Sequence, residues 1–369
     1  MDKNIMQRQL IAMEQYGLDA LVAVSTDNVA YGAGYVVPSQ ALGMRNRQFA
    51  VVSTRDGQSA MLLTANELDE AQERSAIGRF LPYQEFGTDP MAVLADELRG
   101  RGLDKSVIGI ELDALPVARW EELTKRLPDV QWRPAADAFS TARMVKTAAE
   151  IEYLRDAARI AMEGQQSLYP TFDAGMTEHE AYRLLSDQML GRGADKIVMI
   201  QVAAGERSIY SNPSPGPTTF KSGEAVKVDV FVTKHGYLSD TGRSVVIGSA
   251  SQRQKDTWAK MNDVMDLIRN AVRPGVTTRE IWDLFVREFE QRSMAPAIRF
   301  LGHGLGLSLH EEPFIAEHSD TVLQPGMVFA IEPICVDDGN GYHLEDILLV
   351  TDDGYENLTP DFARDLVVC

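Results

Sequence analysis

The sequence has few cysteines, no long apolar run and no leader-like start. Its two cysteines among 369 residues, Cys335 and Cys369, are too few for a disulfide framework and suit a reducing compartment. No stretch approaches the roughly 18 consecutive apolar residues of a transmembrane helix. The opening MDKNIMQRQLIAMEQYG lacks an apolar run ahead of a small-residue cleavage site, unlike a secretory signal. We therefore expect a cytoplasmic protein with no membrane partner.

Positive charge is also scarce. The chain has 36 basic and 54 acidic residues, a formal net charge of −18. Nucleic acids and anionic membranes need basic patches, so neither is an expected partner. Most of the acidic side chains are expected to form a solvated surface, whereas a few carboxylates could be metal ligands. The chain has no G-x-G-x-x-G motif and no P-loop, so no nucleotide site is expected.

Cys335 has two interpretations. A cysteine nucleophile is one, but the residue lies in the apolar stretch AIEPICV. That setting favours a small buried thiol.

The first part of the chain alternates short strands with helices, which predicts an α/β unit. Strands are predicted at 19–24, 48–53, 60–64 and 107–111, and helices at 4–16, 66–76 and 89–101. Residues 135–146 indicate a passage between two domains, which we place at 1–140 and 141–369.

The second part mixes helices and strands, as in an α+β domain. A periodic helix begins near Thr147, and another begins at Thr177 with Glu180 three residues on, a capping-box signature. Helices are also predicted at 252–271 and 277–292, and strands at 196–203, 225–233, 237–247, 327–334 and 342–350.

One internal similarity bears on function. The stretches GEAVKVDVFVTKHGYLSD (223–240) and GMVFAIEPICVDDGNGYHLE (326–345) each carry a carboxylate six residues after the first glycine. These carboxylates are Asp229 and Glu332, and each stretch passes a Gly-Tyr turn and returns with another acid, Asp240 or Glu345. Two hairpins of similar design are predicted, although chance similarity between two common hairpins is the alternative.

The acids of these stretches lie among apolar strand residues. Asp229 alternates with four valines, so it points away from the valine face. An unpaired buried carboxylate costs several kcal/mol, so it must be neutralised, paired or bound to a metal. A salt bridge explains any one of the four acids, but all four together with a glycine-flanked histidine favour a metal centre. Oxygen donors with one imidazole suit Mn²⁺, with Zn²⁺, Co²⁺ or Fe²⁺ as alternatives, and two ions can share bridging carboxylates.

The histidines are found in LGHGLGLSLHEEP (301–313). Its end is similar to the start of the helical zinc motif H-E-x-x-H, but Phe314 occupies the position of the second metal-binding histidine, and three glycines disfavour a helix. His303 and His310 therefore need another explanation.

The ordered set Asp229, Asp240, His303, Glu332-Pro and Glu345-Asp resembles the pita-bread metallopeptidase family. This family includes aminopeptidase P, prolidase, methionine aminopeptidase and the metal-free creatinase. LDALVAVSTDNVAYGAGY in the first part is similar to the creatinase/prolidase N-terminal domain, and the helix opening near Lys146 is similar to the start of the catalytic domain. The resemblance covers nearly the whole chain and is closest to Xaa-Pro dipeptidases. It implies an α/β N-terminal domain followed by an α+β pita-bread catalytic domain.

The resemblance also implies roles. Asp229 would bind one divalent ion, Asp240 and Glu345 would bridge two, and His303 and Glu332 would bind the other. His310 would contact the substrate carbonyl without binding metal, Glu332 would also shuttle protons, and His343 would hold substrate. The implied reaction is hydrolysis of the amide bond before proline in a small peptide by a metal-bridged hydroxide. A homodimer is implied as well.

Three departures leave the substrate open. The stretch SNPSPGP (211–217) has no histidine where the family usually has one, His343 replaces a usual arginine, and Val336 replaces a frequent tyrosine. One alternative is therefore a hydrolase or lyase acting on a non-peptide amide, an amidine or a modified amino acid. Another is a non-catalytic binding protein, against which the intact ligand set speaks.

Overall fold

The structure is a computed structural model that describes residues 2–44, 46–359 and 363–369. The chain forms two compact units, Met1–Arg143 and Met144–Cys369. Among the described residues, no helix combines the length and the apolar character needed to cross a membrane.

The first unit is built on a six-stranded mixed sheet with the order β4-β3-β2-β1-β5-β6. Its strands are β1 (Ala20–Ala23), β2 (Ala50–Thr54), β3 (Ser59–Thr64), β4 (Phe80–Tyr83), β5 (Val107–Ile110) and β6 (Gln131–Pro134). Its helices are α1 (Lys3–Gln15), α2 (Thr26–Ala33), α3 (Pro38–Ala41), α4 (Leu68–Arg74), α5 (Pro90–Gly100), α6 (Val117–Arg126) and α7 (Ala136–Met144).

The predicted elements of this unit are all present, and the predicted strands carry runs of buried apolar residues. Helices α2, α3 and α6 were not predicted, although α2 buries Val29, Ala30, Tyr31 and Ala33. Strands β4 (FLPY) and β6 (QWRP) lie at the two edges of the sheet and are mostly accessible to solvent. Within the stretch 135–146, where a passage between domains is expected, residues 136–144 form helix α7 with Ala138, Phe139 and Ala142 buried.

The second unit contains long helices packed against two antiparallel sheets. Its helices are α8 (Ala148–Leu168), α9 (Glu178–Gly191), α10 (Gln252–Ala271) and α11 (Thr278–Gln291). Its strands are β7 (Lys196–Ala204), β8 (Ala225–Lys234), β9 (Tyr237–Leu238), β10 (Thr241–Val246), β11 (Phe300–Gly304), β12 (Glu311–Ala316), β13 (Val328–Ile331), β14 (Ile334–Asp337), β15 (Asn340–His343), β16 (Asp346–Val350) and β17 (Tyr355–Asn357). Capping boxes begin all four helices, including the expected one at Thr177 and Glu180.

The sheets of this unit have the orders β10-β8-β7, with β9 on β8, and β12-β11-β13-β16-β17, while β14 and β15 form a separate hairpin. The four valines of β8 pack against α8 and α9 in one core cluster. Helices α10 and α11 cover a second cluster that includes Cys335. Burial raises the pKa of the Cys335 thiol to about 12, so it remains protonated and supports the interpretation of a buried thiol.

Three predicted strands are interrupted in the structure, and each interruption carries an acid of interest. The stretch 237–247 breaks between β9 and β10 at Asp240, 327–334 breaks between β13 and β14 at Glu332, and 342–350 breaks between β15 and β16 at Glu345. Pro333 explains one break, because proline has no N–H to donate to a strand ladder. The single long strands expected from the sequence are therefore wrong at the acidic positions.

The two similar stretches form related hairpin structures. Strand β8 pairs with β10 so that Val230 faces Thr241, and β13 pairs with β16 so that Ile331 faces Asp346. In this register Asp229 comes one residue before the first of these pairs, and Glu332 comes one residue after Ile331. Both acids nevertheless face the same ring, because His343 lies 3.8 Å from Asp229 Oδ2 and 3.5 Å from Glu332 Oε2.

Candidate metal centre

Strand β8 positions the first acid of the site. Asp229 lies opposite Gly242 of β10 and points away from the valine face. Asp240 follows the short strand β9 and precedes β10 on the neighbouring chain segment. Both carboxylates are nearly inaccessible to solvent.

The glycine-rich segment forms β11, which lies between β12 and β13. A Cβ on Gly302 would lie 2.1 Å from the carbonyl oxygen of Ala330, and a Cβ on Gly304 would lie 2.3 Å from that of Glu312. Both positions therefore need glycine, because the neighbouring backbones leave no room for a side chain. The glycines seat the residue between them, His303, in the middle of the sheet.

His303 is held in a defined tautomer. Its Nδ1 lies 3.1 Å from the carbonyl oxygen of Gly304, which only accepts hydrogen bonds, so Nδ1 carries the proton. Its Nε2 lies 3.4 Å from Asp240 Oδ2 and 3.4 Å from Glu332 Oε1. Nε2 of His303 therefore points between two carboxylates.

The second hairpin contributes Glu332, His343 and Glu345. The backbone N–H of Glu345 donates to the carbonyl oxygen of Gly242 at 3.0 Å, which brings this hairpin against β10. His343 Nε2 lies 3.5 Å from Glu332 Oε2 and 3.6 Å from Glu345 Oε2.

Several atoms of this cluster lack a hydrogen-bond partner within the described part of the chain. They are Asp229 Oδ1, His303 Nε2, Glu345 Oε2 and both ring nitrogens of His343. The separations of 3.4–3.8 Å are longer than hydrogen bonds, which run from about 2.7 to 3.2 Å. Donors that each lie about 2.0–2.2 Å from one ion are separated by roughly this distance. The donor set therefore fits divalent metal ions.

The pKa shifts of the clustered acids also favour bound cations. Burial raises the pKa of Asp229 to about 6, and it raises the pKa values of Asp240 and Glu345 well above their ordinary range, helped by repulsion from neighbouring acids. Burial also opposes ionisation of Glu332, but the two nearby imidazoles outweigh it and hold its pKa at about 2. Four buried acids cannot all be ionised without added positive charge, which divalent cations would supply.

His310 occupies a different place from His303. The two rings stack with centroids 3.7 Å apart, and His310 lies between that contact and solvent, with Phe300 and Phe314 beside it. Burial and the neighbouring His303 lower the pKa of His310, so it is neutral at pH 7. It belongs to neither cluster of metal-compatible donors found in the described residues.

A cavity of about 450 Å³ is lined by Asp229, Asp240 and Glu332 and by the rings of His303, His310 and His343. Its apolar lining consists of Met199, Phe231, Ile298, Phe300, Leu309 and Ile334, and its polar lining includes Ser211 and Asn212. Val336, the residue at the position of the frequent tyrosine, does not line this cavity and is half exposed.

The stretch without histidine, 211–217, is fixed by charged side chains. The Arg207 guanidinium donates to the carbonyl oxygen of Ser214 at 2.7 Å, and the buried Glu178 accepts from the N–H of Gly216 at 2.8 Å. The buried Lys227 donates to the carbonyl oxygens of Tyr210 and Ser211. Sequence reasoning missed Lys227, although its position two residues before Asp229 places it on the same strand face.

Comparison with known proteins identifies the family of this chain. The family model described as Metallopeptidase family M24 matches residues 152–352, and the Creatinase/Prolidase N-terminal domain model matches residues 6–145. An Xaa-Pro dipeptidase of Lactobacillus helveticus is 29% identical over 342 residues, which cover 90% of each chain. An Xaa-Pro dipeptidase of Pyrococcus furiosus is 26% identical and aligns over 97% of this chain and 98% of its own.

Solved structures agree on the fold. The dipeptidase PepE from Mycobacterium ulcerans superposes with a TM-score of 0.86 at 25% identity, over 99% of this chain and 96% of its own. A prolidase from Thermococcus sibiricus superposes with a TM-score of 0.88 over the whole of both chains, at 22% identity. The predicted α/β N-terminal domain and pita-bread catalytic domain are confirmed.

Proposed function

The chain belongs to metallopeptidase family M24, and from this premise we propose that it is an Xaa-Pro dipeptidase. It is a peptidase hydrolase by family, so the alternative of a non-catalytic binding protein is not retained. One observation carries the proposal: three buried acids and three imidazoles line a cavity of about 450 Å³, and several of their donor atoms have no hydrogen-bond partner in the described chain. That volume suits a dipeptide, since ligand pockets run from about 300 to 1,000 Å³.

Two divalent ions would be held by Asp229, Asp240, His303, Glu332 and Glu345. When bound, such ions lower the pKa of water and polarise a carbonyl oxygen, which is the chemistry that amide hydrolysis needs. Mn²⁺ is our first choice from the predominance of carboxylates, with Zn²⁺, Co²⁺ and Fe²⁺ as alternatives.

Side chains of the protein would bind the substrate and transfer the proton. Neutral His310 keeps one ring N–H, and this N–H would donate to the carbonyl oxygen of the scissile amide. Glu332 lines the cavity and stays ionised, so it can accept a proton from the attacking water and pass it to the leaving amine. The apolar wall formed by Ile298, Phe300 and Ile334 offers a surface for the proline ring. The resemblance suggests a substrate-holding role for His343, which replaces the usual arginine.

The experiment is a matrix of metals against substrates. Chelator-treated protein is reconstituted with Mn²⁺, Zn²⁺, Co²⁺ or Fe²⁺, and each form is given Ala-Pro, Pro-Ala, Ala-Ala and Ala-Pro-Ala. We expect release of free proline from Ala-Pro with at least one metal and little cleavage of Pro-Ala. If no Xaa-Pro dipeptide is cleaved with any metal, the dipeptidase proposal is wrong.

A second candidate is favoured by the segment at 211–217. Ser211 and Asn212 line the cavity where the family usually supplies a histidine, so the polar part of the substrate site differs. A non-peptide amide, a cyclic amidine or a modified amino acid would then be the substrate. Turnover of such compounds together with inertness toward every Xaa-Pro peptide would support this candidate.

We also propose a homodimer, on the resemblance, and a cytoplasmic location, on a cysteine content that suits a reducing compartment. Sedimentation of the purified protein tests the first, because a dimer would run near twice the 40.8 kDa chain mass. Fractionation of the producing cells tests the second.

A further inference from the structure

Two groups of potential metal donors in the described residues share one composition. One consists of Asp229, His343 and Glu345, and the other of Asp240, His303 and Glu345. Each group has one aspartate, one imidazole and the common glutamate. The donor atoms within each group lie within 4.8 Å of one another, and all five residues are buried.

The imidazole ring of His343 makes no hydrogen bond to the described residues. Both ring nitrogens are buried without a partner in the described chain, which is unusual because buried polar atoms are nearly always satisfied. Its Nδ1 lies 3.8 Å from Asp229 Oδ2, while its Nε2 lies within 3.6 Å of two further carboxylates. These separations are too long for hydrogen bonds and suit donors that share an ion.

The position of the ring is built into the fold. The backbone N–H of His343 donates to Ser244 Oγ at 3.0 Å, and the residue pairs with Ile334 across the β14–β15 hairpin. A Cβ on Gly242 would lie 2.5 Å from the ring, so the glycine opposite Asp229 provides the space that the imidazole occupies. A histidine with this support is held rigidly beside the acids.

We propose that His343 is a direct ligand of one divalent ion, which it binds together with Asp229 and Glu345. His303 serves the other ion together with Asp240 and Glu345. The side chain of His343 is only 2% exposed, which favours a metal ligand over the substrate-holding role suggested by the resemblance. The proposal rests on the metal centre of the proposed function and adds a sixth protein ligand to it.

The added imidazole changes the expected metal preference. With five ligands the first ion would have only carboxylates, which suit Mn²⁺. With His343 both ions have a nitrogen donor, and nitrogen donors favour Zn²⁺, Co²⁺ and Fe²⁺ over Mn²⁺. We therefore expect Co²⁺ and Zn²⁺ to occupy both positions at lower free concentrations than Mn²⁺ does.

The test measures metal binding directly. Chelator-stripped wild type, His343→Gln, His303→Gln and His310→Gln are titrated with Co²⁺ and Zn²⁺ by calorimetry. We expect two ions in the wild type, and affinity for one ion about tenfold or more weaker in His343→Gln while the second ion is retained. His303→Gln should weaken the other ion, and His310→Gln should match the wild type. Two ions bound to His343→Gln with unchanged affinities would overturn the proposal.

A second measurement needs no variant. In the Co²⁺-loaded wild type, each ligating imidazole keeps one N–H, which gives a strongly shifted, solvent-exchangeable proton resonance. Two such resonances support His343 as a ligand, and one resonance contradicts it.

These outcomes separate the two proposals. If the wild type binds two ions through both His303 and His343 but cleaves no Xaa-Pro peptide, the dipeptidase assignment fails and the inference about His343 stands. If His343→Gln keeps both affinities while Ala-Pro is cleaved, the inference fails and the function stands. A wild type that binds no ion removes the basis of both.

Discussion

Glu345 and Asp346 are neighbours in the chain and equally buried, yet they lie in two contrasting regions of the molecule. Asp346 accepts from Arg243 Nη2 at 2.6 Å, from Arg269 and from Asn357 Nδ2 at 3.1 Å. Burial alone would raise the pKa of Asp346, but the two arginines hold it below its ordinary value. Glu345 has no Lys or Arg within ion-pair distance in the described chain, and its pKa is raised by burial and by nearby acids.

The contrast arises because Arg243 and Arg269 reach Asp346, so this carboxylate has counter-charges and stabilises the fold. Glu345 lies among acids that repel one another. Arg243 links the two regions, because its guanidinium donates to the backbone carbonyls of Gly242 and Glu345 while its charge pairs with Asp346. The missing counter-charge, more than burial, distinguishes the candidate metal centre.

The largest expected effect comes from Glu345→Gln, which removes the acid common to both donor groups. We expect Xaa-Pro hydrolysis to fall by about four orders of magnitude, because both ions lose a ligand. The metal-free protein should be no less stable than wild type, since one buried negative charge has gone from a repelling cluster. Metal content, Ala-Pro turnover and thermal unfolding measure these effects.

Glu317→Gln is the matched control for this change, because Glu317 is exposed. A large loss of metal-free stability in Glu345→Gln would contradict the contrast drawn between Glu345 and Asp346.

Asp346→Asn should show the reverse pattern. It leaves Arg243 and Arg269 partly unpaired in the interior, and we expect the free energy of unfolding to fall by about 3–5 kcal/mol with or without metal. Chemical denaturation of the metal-free and metal-loaded proteins gives this value. The exposed Asp352→Asn is the control, and a loss confined to the metal-loaded form would mean that Asp346 belongs with the site acids.

His310→Gln extends the comparison to the imidazoles. His303 directs Nε2 at the acids, whereas His310 stacks on its outer side, so His310→Gln should keep both ions. We expect kcat for Ala-Pro to fall about a hundredfold through the loss of a donor to the substrate carbonyl. His318→Gln, at a fully exposed histidine, should match wild type. Loss of metal in His310→Gln would refute the assignment.

The smallest effect is a dependence of stability on pH. The pKa of Asp229 is about 6 in the folded metal-free protein, against an ordinary value of 3.8, so the folded state binds the proton more tightly. Stability is therefore greatest below the ordinary value and falls by about 2 kcal/mol as pH rises to about 6. Glu332, with a folded pKa of about 2, acts in the opposite sense only below its ordinary value of 4.5.

Saturating metal should reverse this trend, because ligands bind metal in their deprotonated form. Melting temperatures of chelator-treated and metal-loaded protein between pH 4 and 6 test the prediction. Asp229→Asn should reduce the slope of the metal-free curve, to which Asp240 and Glu345 also contribute, and an unchanged slope in that variant would assign the effect elsewhere.

Much of the fold follows from local pattern. The long helices of the second unit were predictable because amphipathic periodicity and capping boxes are encoded within a few residues, as at Thr177 and Glu180. Helix α7 and the edge strands β4 and β6 were not, because their local patterns are weak and their conformation depends on neighbouring elements.

The fold class and the candidate acids could be recognised in the sequence, because valine alternation around Asp229 and the glycines around His303 are local features. The folded chain decides which acids lack a counter-charge, since Arg243 and Arg269 reach Asp346 from distant segments. It also decides that Asp240, Glu332 and Glu345 lie at breaks between strands, and that His343 directs both nitrogens at carboxylates. Charge balance in a buried site depends on distances between remote segments, which no local pattern contains.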